Sequence, residues 1–335
     1  MQAAIYGLSE TELLAEERAF FRDAKPAGYI LFRRNIVSKE QLRSLTDSLR
    51  ELEGHDEVPI LIDQEGGRVS RMRPPEWPVF PSGEAFDQLY QLAPSSAIEA
   101  ARVNARALGL MLHEVGVNVD CLPMLDVRQP GATDIVGDRA LGSDPMQVAA
   151  LGKAILDGLA SAGALGVIKH IPGHGRALVD SHHELPIVEE AEDKLAIDLE
   201  PFERLRDAPM GMTAHLLYTA WDAERPASQS PFVIKEIIRQ RIGFDGFLMS
   251  DDIGMEALGG DHGTRAAACV AAGCDVALHC DGKMENMLLV ADAVGDISPD
   301  GAARLARAMA MRFIPDDEMD FAEAIAKRDA LLALV

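Results

Sequence analysis

Four of the nine histidines in this 335-residue chain fall within fourteen positions, in the stretch Lys169-His170-Ile171-Pro172-Gly173-His174-Gly175-Arg176-Ala177-Leu178-Val179-Asp180-Ser181-His182-His183. Imidazoles at that density can ligate a metal, carry a proton or hold a polar ligand. His170 and His174 are four apart, the spacing of a helical two-histidine metal face, but Pro172, Gly173 and Gly175 argue against the helix that would present it. His170, His174, His182 and Asp251 could still converge on a metal from separate strands, as in barrel metallohydrolases. Against this, the first apolar run, AAIYGL, lacks the His-x-His pair such enzymes use. Asp180 and His182 are two apart, so in an extended segment they share one side, where the carboxylate orients the ring and favours its protonated form. An imidazole titrates near neutral pH and can give up a proton and later recover one.

Such groups need a scaffold that aims them at one place. Eight short apolar runs bounded by Gly, Pro or polar residues fall at 3–8, 28–32, 58–63, 117–125, 166–171, 210–215, 246–251 and 274–280. Between and after them, helical periods are expected at 10–23, 39–53, 96–115, 146–163, 196–206, 232–240 and 263–272, with two more helices at 298–311 and 317–333. Ser9 is the expected N-cap of the first helix, with Glu12 as its capping-box partner. The prolines at 74, 75, 78 and 81 imply an irregular loop before the helix at 96. This alternation predicts a (β/α)₈ barrel, one domain over 1–335, with C-terminal helices at about 298–333. A doubly wound open sheet is the alternative, but 7-GLSETE-12 supplies no phosphate-binding glycine fingerprint.

In a barrel, chemistry gathers where strands end, because only there do the βα connections share one mouth. The polar residues follow that rule: Asp63-Gln64-Glu65 with Arg68 and Arg71 after the third run, Lys169-His170 after the fifth, His215 after the sixth, Ser250-Asp251-Asp252 after the seventh, and His279-Cys280-Asp281 after the eighth. Each has a plainer reading. Asp252, and less readily Asp251, could cap the following helix; Asp63 and Glu65 could pair with Arg68 and Arg71 to neutralise a rim; His215 and His279 could be satisfied wall residues. Lys169 resists such a reading, since a lysine at the end of an apolar strand requires a partner.

Composition narrows the partners. The chain carries 54 acidic against 32 basic residues, a formal net charge of −22, which opposes attraction to nucleic acid and anionic lipid. The N-terminus lacks a secretory pattern, and no apolar stretch reaches the roughly 18 residues of a membrane span. Cys121, Cys269, Cys274 and Cys280 show no disulfide or metal spacing, so reduced thiols in a cytoplasmic protein are expected.

The segments GYILFRRN (28–35), DQEGGRVSRM (63–72), NVDCLPMLDV (118–127), GDRALGSDP (137–145), KHIPGHG with DSHHELP (169–186), MTAHLLY (212–218) and GFLMSDDIGME (246–256) together resemble glycoside hydrolase family 3, most closely its single-domain bacterial β-N-acetylglucosaminidases. The resemblance spans nearly the whole chain in order and spacing. It implies a retaining, two-step hydrolysis of terminal β-linked N-acetylglucosamine, with no metal and no cofactor. Asp251 matches the nucleophile and His182 the acid/base, assisted by Asp180. Strand alternation alone separates Asp251 from Asp252 without saying which faces the mouth.

Asp63, Arg71, Arg139, Lys169 and His170 match sugar-binding positions. Arg68 and His174 are expected to support the site, and PGHG to act as a hinge-like loop that lets the dyad move over the sugar. Ile171 stands where Phe is common and Cys121 where Ala is usual, and both keep an apolar side chain. No second α/β sandwich domain is expected within these residues, so the loop dyad must supply the acid/base. The implied substrate is a peptidoglycan fragment, N-acetylglucosamine joined to 1,6-anhydro-N-acetylmuramic acid with or without peptide. A phosphorylase on the same scaffold, a metal-dependent barrel hydrolase and a catalytically silent sugar binder are the rival readings.

Overall fold

The computed structural model describes residues 1–181, 183–312 and 319–335. Strands β1 (Gln2–Gly7), β2 (Pro26–Leu31), β3 (Ile60–Ile62), β4 (Val119–Asp120), β5 (Leu165–Ile171), β7 (Met210–Thr213), β9 (Phe247–Asp252) and β10 (Val276–His279) close into a parallel barrel. Around it the order is β1-β10-β9-β7-β5-β4-β3-β2, the (β/α)₈ architecture expected from the alternating pattern. The outer helices are α1 (Ala15–Ala24), α2 (Lys39–Glu53), α3 (Gly83–Leu92), α4 (Pro94–Glu114), α5 (Pro145–Ser161), α6 (Glu192–Arg204), the helix Val233–Ile242, α7 (His262–Ala272), α8 (Met284–Ala293), α9 (Pro299–Ala310) and α10 (Phe321–Leu332). None of the described helices is long and apolar enough to cross a membrane.

The strands are apolar on both faces because each face is covered, one by the barrel interior and the other by helices. Ile5, Leu61, Val167, Phe247, Met249, Val276 and Leu278 pack in one cluster inside the barrel, while their chain neighbours Ala4, Tyr6, Ile60, Ile62, Ile168, Leu248 and Ala277 pack in the layer under the helices. Each large side chain fully buried this way contributes roughly 1.5–3 kcal/mol. Helix α9 closes the N-terminal end, adding Leu305, Ala308 and Met309 to the interior cluster. Its Arg304 bonds Asp245 at 2.9 Å and Asp275 at 3.1 Å, the residues that lead into β9 and β10. The opposite end stays open for chemistry.

Several local expectations need correction. The first helix starts at Ala15, not at residue 10, and Ser9 does not cap it. Instead Glu17, almost fully buried, accepts from the Ser9 N–H and hydroxyl, both at 2.9 Å, and from the Leu14 N–H at 3.1 Å. Glu12 therefore has no capping-box role. The proline-rich segment does form a loop, but α3 follows it before α4, which opens with Pro94 in its first turn where no N–H is needed.

The fourth run keeps only Val119–Asp120 as paired strand, with Met124 rejoining Lys169 in an isolated bridge. A short sheet pairing β6 (Ile187–Val188) with β8 (Leu217–Tyr218) lies outside the barrel, and α8 occupies a stretch with no expected element. Asp252 does not cap a helix. Asp261 does so for α7, accepting from the Thr264 N–H at 2.8 Å.

Candidate active site

Interior strand positions continue into the mouth with period two, and this decides which polar groups meet there. Leu61 is followed by Asp63, Val167 by Lys169, Phe247 and Met249 by Asp251, and Leu278 by Cys280. They line a cavity of about 300 Å³ together with Glu65, Arg71, Arg139, His170, His174, Asp180 and Ser181. Phe32, Met212 and Met255 add an apolar wall. Strand alternation alone leaves Asp251 and Asp252 unresolved; Asp251 continues the interior row of Phe247 and Met249, while Asp252, one step out of that row, also borders the cavity.

Lys169 is the hub. Its side chain is only 2% exposed, and Nζ lies 3.0 Å from Asp63 Oδ1 and 2.6 Å from Glu65 Oε1. Arg71 donates to Asp63 Oδ2 at 2.9 Å and stacks over the Phe32 ring at 5.1 Å. Arg139 grips Glu65 with two parallel bonds, at 2.8 and 2.7 Å. Two carboxylates thus face three cations. Burial opposes charge on Asp63, but Lys169 and Arg71 overcome it and hold the carboxyl well below the usual range. Glu65 is likewise resisted by burial and brought down to about 2 by Arg139 and Lys169. Lys169 keeps its charge despite burial because both carboxylates raise its pKa.

The histidine stretch is anchored on Asp126. Asp126 accepts from the backbone N–H groups of His170 at 3.3 Å and His174 at 2.6 Å, and its other oxygen lies 2.7 Å from His170 Nδ1. Burial works against the Asp126 charge, yet His170 leads the groups that lower it to about 2. His174 turns Nε2 to the Ser181 hydroxyl at 3.2 Å. Burial, then the neighbouring His170, pushes the His174 ring down to about 4, so it is neutral at physiological pH.

PGHG is packed down rather than hinge-like. Tyr218 donates to the Gly173 carbonyl, and a Cβ on residue 175 would stand 1.9 Å from the Val127 carbonyl oxygen. Arg176 ties this part to α6 through Asp198 at 2.6 Å. Exposure begins beyond it, at Leu178.

Asp251 accepts from the Asp252 N–H at 2.8 Å. Burial disfavours its charge, but His170, His215, that N–H and Lys169 together keep its pKa below the ordinary aspartate value. Asp252 faces the other way electrostatically: burial and the adjacent Asp251 raise it, and its Oδ1 accepts from the N–H groups of Gly254 and Cys280 at 2.9 and 3.3 Å. A partly buried carboxylate kept ionised beside an acid of raised pKa is suited to attack or to stabilising positive charge.

Of the residues expected at the site, Asp63, Arg71, Arg139, Lys169, His170, Asp180 and Asp251 all line the one cavity, whereas His182 lies outside the described residues. Arg139 spends its fork on Glu65. Arg68 bonds Asp138 at 2.7 Å and the carbonyls of Asp134 and Ile135, so it braces the 134–139 loop. His215 bridges the Ser228 hydroxyl and the Asp252 carbonyl at 2.7 and 3.0 Å, and is a satisfied wall histidine. His183 is largely exposed.

Sequence reasoning treated Glu65 only as rim charge and passed over Asp126. Its signal was available: like Asp63 and Asp251, it is an acid closing an apolar run.

The profile described as the glycosyl hydrolase family 3 N-terminal domain matches residues 4–306. A protein called beta-hexosaminidase from Aromatoleum aromaticum is 38% identical over 298 residues, covering 88% of this chain and 83% of that protein. One of the same name from Methylococcus capsulatus is 36% identical over 334 residues, covering 98% and 94%. NagZ from Neisseria gonorrhoeae, solved in complex with N-trifluoroacetyl-D-glucosamine, superposes with a TM-score of 0.85 at 30% identity, covering 99% of this chain and 96% of that one.

Proposed function

This chain belongs to glycosyl hydrolase family 3, and on that footing we propose that it is a retaining β-N-acetylglucosaminidase with Asp251 as nucleophile and His182, oriented by Asp180, as acid/base. The observation that carries the assignment is the half-buried, ionised Asp251 carboxylate in the wall of the cavity that also takes in Asp180 and the Asp63–Lys169–Glu65 network. The cavity lies at the small end of ligand sites, which run from roughly 300 to 1,000 Å³, and suits a single sugar ring. Asp63, Arg71, Lys169 and His170 are the side chains offered to its hydroxyls, with charge-assisted bonds to fix its pose. Arg139 acts chiefly through Glu65, which it holds in place.

In the first step the Asp251 carboxylate oxygen bonds to the anomeric carbon as the glycosidic C–O bond breaks. His182 delivers its proton to the departing oxygen. In the second, His182 removes a proton from water, whose oxygen displaces Asp251 and regenerates both groups. An imidazole serves both steps because its pKa is near working pH in either direction.

The names of the relatives support the sugar class, and by the same likeness we infer a peptidoglycan fragment as substrate. N-acetylglucosamine would be joined there to 1,6-anhydro-N-acetylmuramic acid, with or without peptide, and the reaction would run in the cytoplasm. We also take 1–335 as one catalytic unit, a reading supported by Arg106 bonding the Met319 carbonyl at 2.8 Å and Arg328 bonding Asn104 at 3.3 Å, which dock α10 on α4.

The test is a chromogenic β-N-acetylglucosaminide assay. Wild type should turn over and Asp251→Ala lose nearly all activity. His182→Ala should lose less on an aryl glycoside than on a disaccharide, because a good leaving group needs little protonation. An inactive wild type, or full turnover by Asp251→Ala, would refute the assignment; N-acetylglucosamine 1-phosphate made in millimolar phosphate would turn it to a phosphorylase.

A further inference from the structure

On the opposite face of β10 from the sugar cavity, a second group of chemically capable residues comes together. Leu278 and Cys280 face the cavity, so His279 between them points outward, into the layer between the barrel and its helices. There it meets His262, the first residue of α7, with ring centroids 5.4 Å apart, and Asp281, just past the strand end. One ligand atom from each of the three lies within 4.8 Å of the others. The His279 Nε2 to Asp281 Oδ1 distance is 3.0 Å, and His262 Nε2 to Asp281 Oδ2 is 3.7 Å. In a tetrahedral site with bonds of about 2.0–2.1 Å, neighbouring ligand atoms stand about 3.3 Å apart.

His279 supplies an independent observation. It is fully buried, yet neither ring nitrogen makes a hydrogen bond among the described residues, since Nε2 approaches Asp281 out of alignment. A buried ring nitrogen without an aligned partner carries a cost, and an ion bound to Nε2 beside Asp281 would relieve it at that nitrogen. Asp281 is fixed for such a role: the Lys283 N–H donates to Oδ1 at 2.7 Å and the Asn286 side chain to Oδ2 at 2.5 Å. The side chains of Asp281 and His262 are 25% and 20% exposed, so an ion has a way in.

We propose that His262, His279 and Asp281 form a binding site for a divalent transition ion of the zinc class, separate from the sugar cavity and open to water at a fourth position. Two imidazoles and one carboxylate suit zinc or cobalt(II) rather than magnesium or calcium. A bound ion would tie the start of α7 to the end of β10, beside Asp252 and the strand that carries Asp251.

The test uses the whole, chelator-treated protein titrated with Zn²⁺ by calorimetry and with Co²⁺ by visible absorption, alongside His262→Ala, Asp281→Asn and Asp251→Ala. Wild type and Asp251→Ala should bind sub-millimolar Zn²⁺, rise in melting temperature with it and show the cobalt ligand-field bands of a histidine site. His262→Ala and Asp281→Asn, folded by circular dichroism, should bind at least about tenfold more weakly and lose those bands. Two results overturn the proposal: no uptake by wild type at sub-millimolar zinc, or equal affinity and bands in both site variants. Loss in Asp251→Ala alone also overturns it, because it puts the ion in the sugar cavity.

Discussion

Replacing Lys169 by Met keeps the length and apolar stem of the side chain while deleting the one charge shared by Asp63 and Glu65. Two short bonds to buried carboxylates are lost, and hydrogen bonds between charged groups contribute about 1.5–3 kcal/mol each. Arg71 still pairs with Asp63 and Arg139 with Glu65, which holds the cost near the lower bound, about 3 kcal/mol of unfolding free energy at neutral pH. Its pH dependence has a definite sign. In wild type the lowered pKa of Glu65, about 2, contributes stability that is present above its unfolded value and lost as pH falls through the folded one. Without Lys169 that pKa moves back towards the ordinary 4.5, so there is less to lose on acidification. Urea unfolding should therefore show a gap between wild type and Lys169→Met that is widest at neutral pH and narrows towards pH about 3. A gap below about 1 kcal/mol, or one constant with pH, would refute the hub role.

Two further perturbations probe the histidine stretch. Gly175→Ala puts a methyl group 1.9 Å from the Val127 carbonyl oxygen; it should cost about 1–3 kcal/mol and reduce turnover by shifting the segment that leads to Asp180, and unchanged melting and activity would contradict this. His174, ordinary value 6.5 and held at about 4, stays neutral in the fold, so its contribution is complete above pH 6.5 and falls away as pH drops towards 4. The slope it adds is at most about 1.4 kcal/mol per pH unit, and His174→Gln should flatten the stability profile in that window; an unchanged slope would show that His174 does not titrate this way.

The barrel was legible because β-branched runs and helical periods alternate along the chain, and of the eight expected site residues Asp63, Lys169, His170 and Asp251 meet in one cavity for the same reason, since they lie at the ends of those runs, while Arg71, Arg139 and Asp180 reach it from the connecting segments. The eighth, His182, lies outside the described residues. Orientation was harder to read. Asp251 and Asp252 differ by one step of alternation, and only the packing of Phe247 and Met249 inside the barrel tells them apart.

Partnerships across the chain were not legible at all. Glu65 is held by Arg139, 74 residues away, and His170 by Asp126, 44 residues away, distances over which sequence spacing carries no contact information. The start of α1 does not follow from local spacing for a similar reason: Glu17 reaches back from inside the helix to the N-cap Leu14 N–H and to Ser9, so the Ser9–Glu12 pattern is irrelevant. From its place in the sequence His279 reads as a wall histidine, as His215 does. The two differ only in their surroundings, since His215 has two partners and His279 has none in hydrogen-bond alignment among the described residues.

The central claim is covalent catalysis by Asp251, and it is tested most directly by trapping the intermediate. Wild type is treated with a 5-fluoro-N-acetylglucosaminyl fluoride, whose electron-poor ring slows release of the sugar, and is then digested and mapped by mass spectrometry. One sugar should be found esterified to the peptide that carries Met249-Ser250-Asp251-Asp252, on Asp251, and no label should appear in Asp251→Ala. Label on any other carboxylate, or steady turnover of the substrate with no covalent adduct at all, would contradict the account.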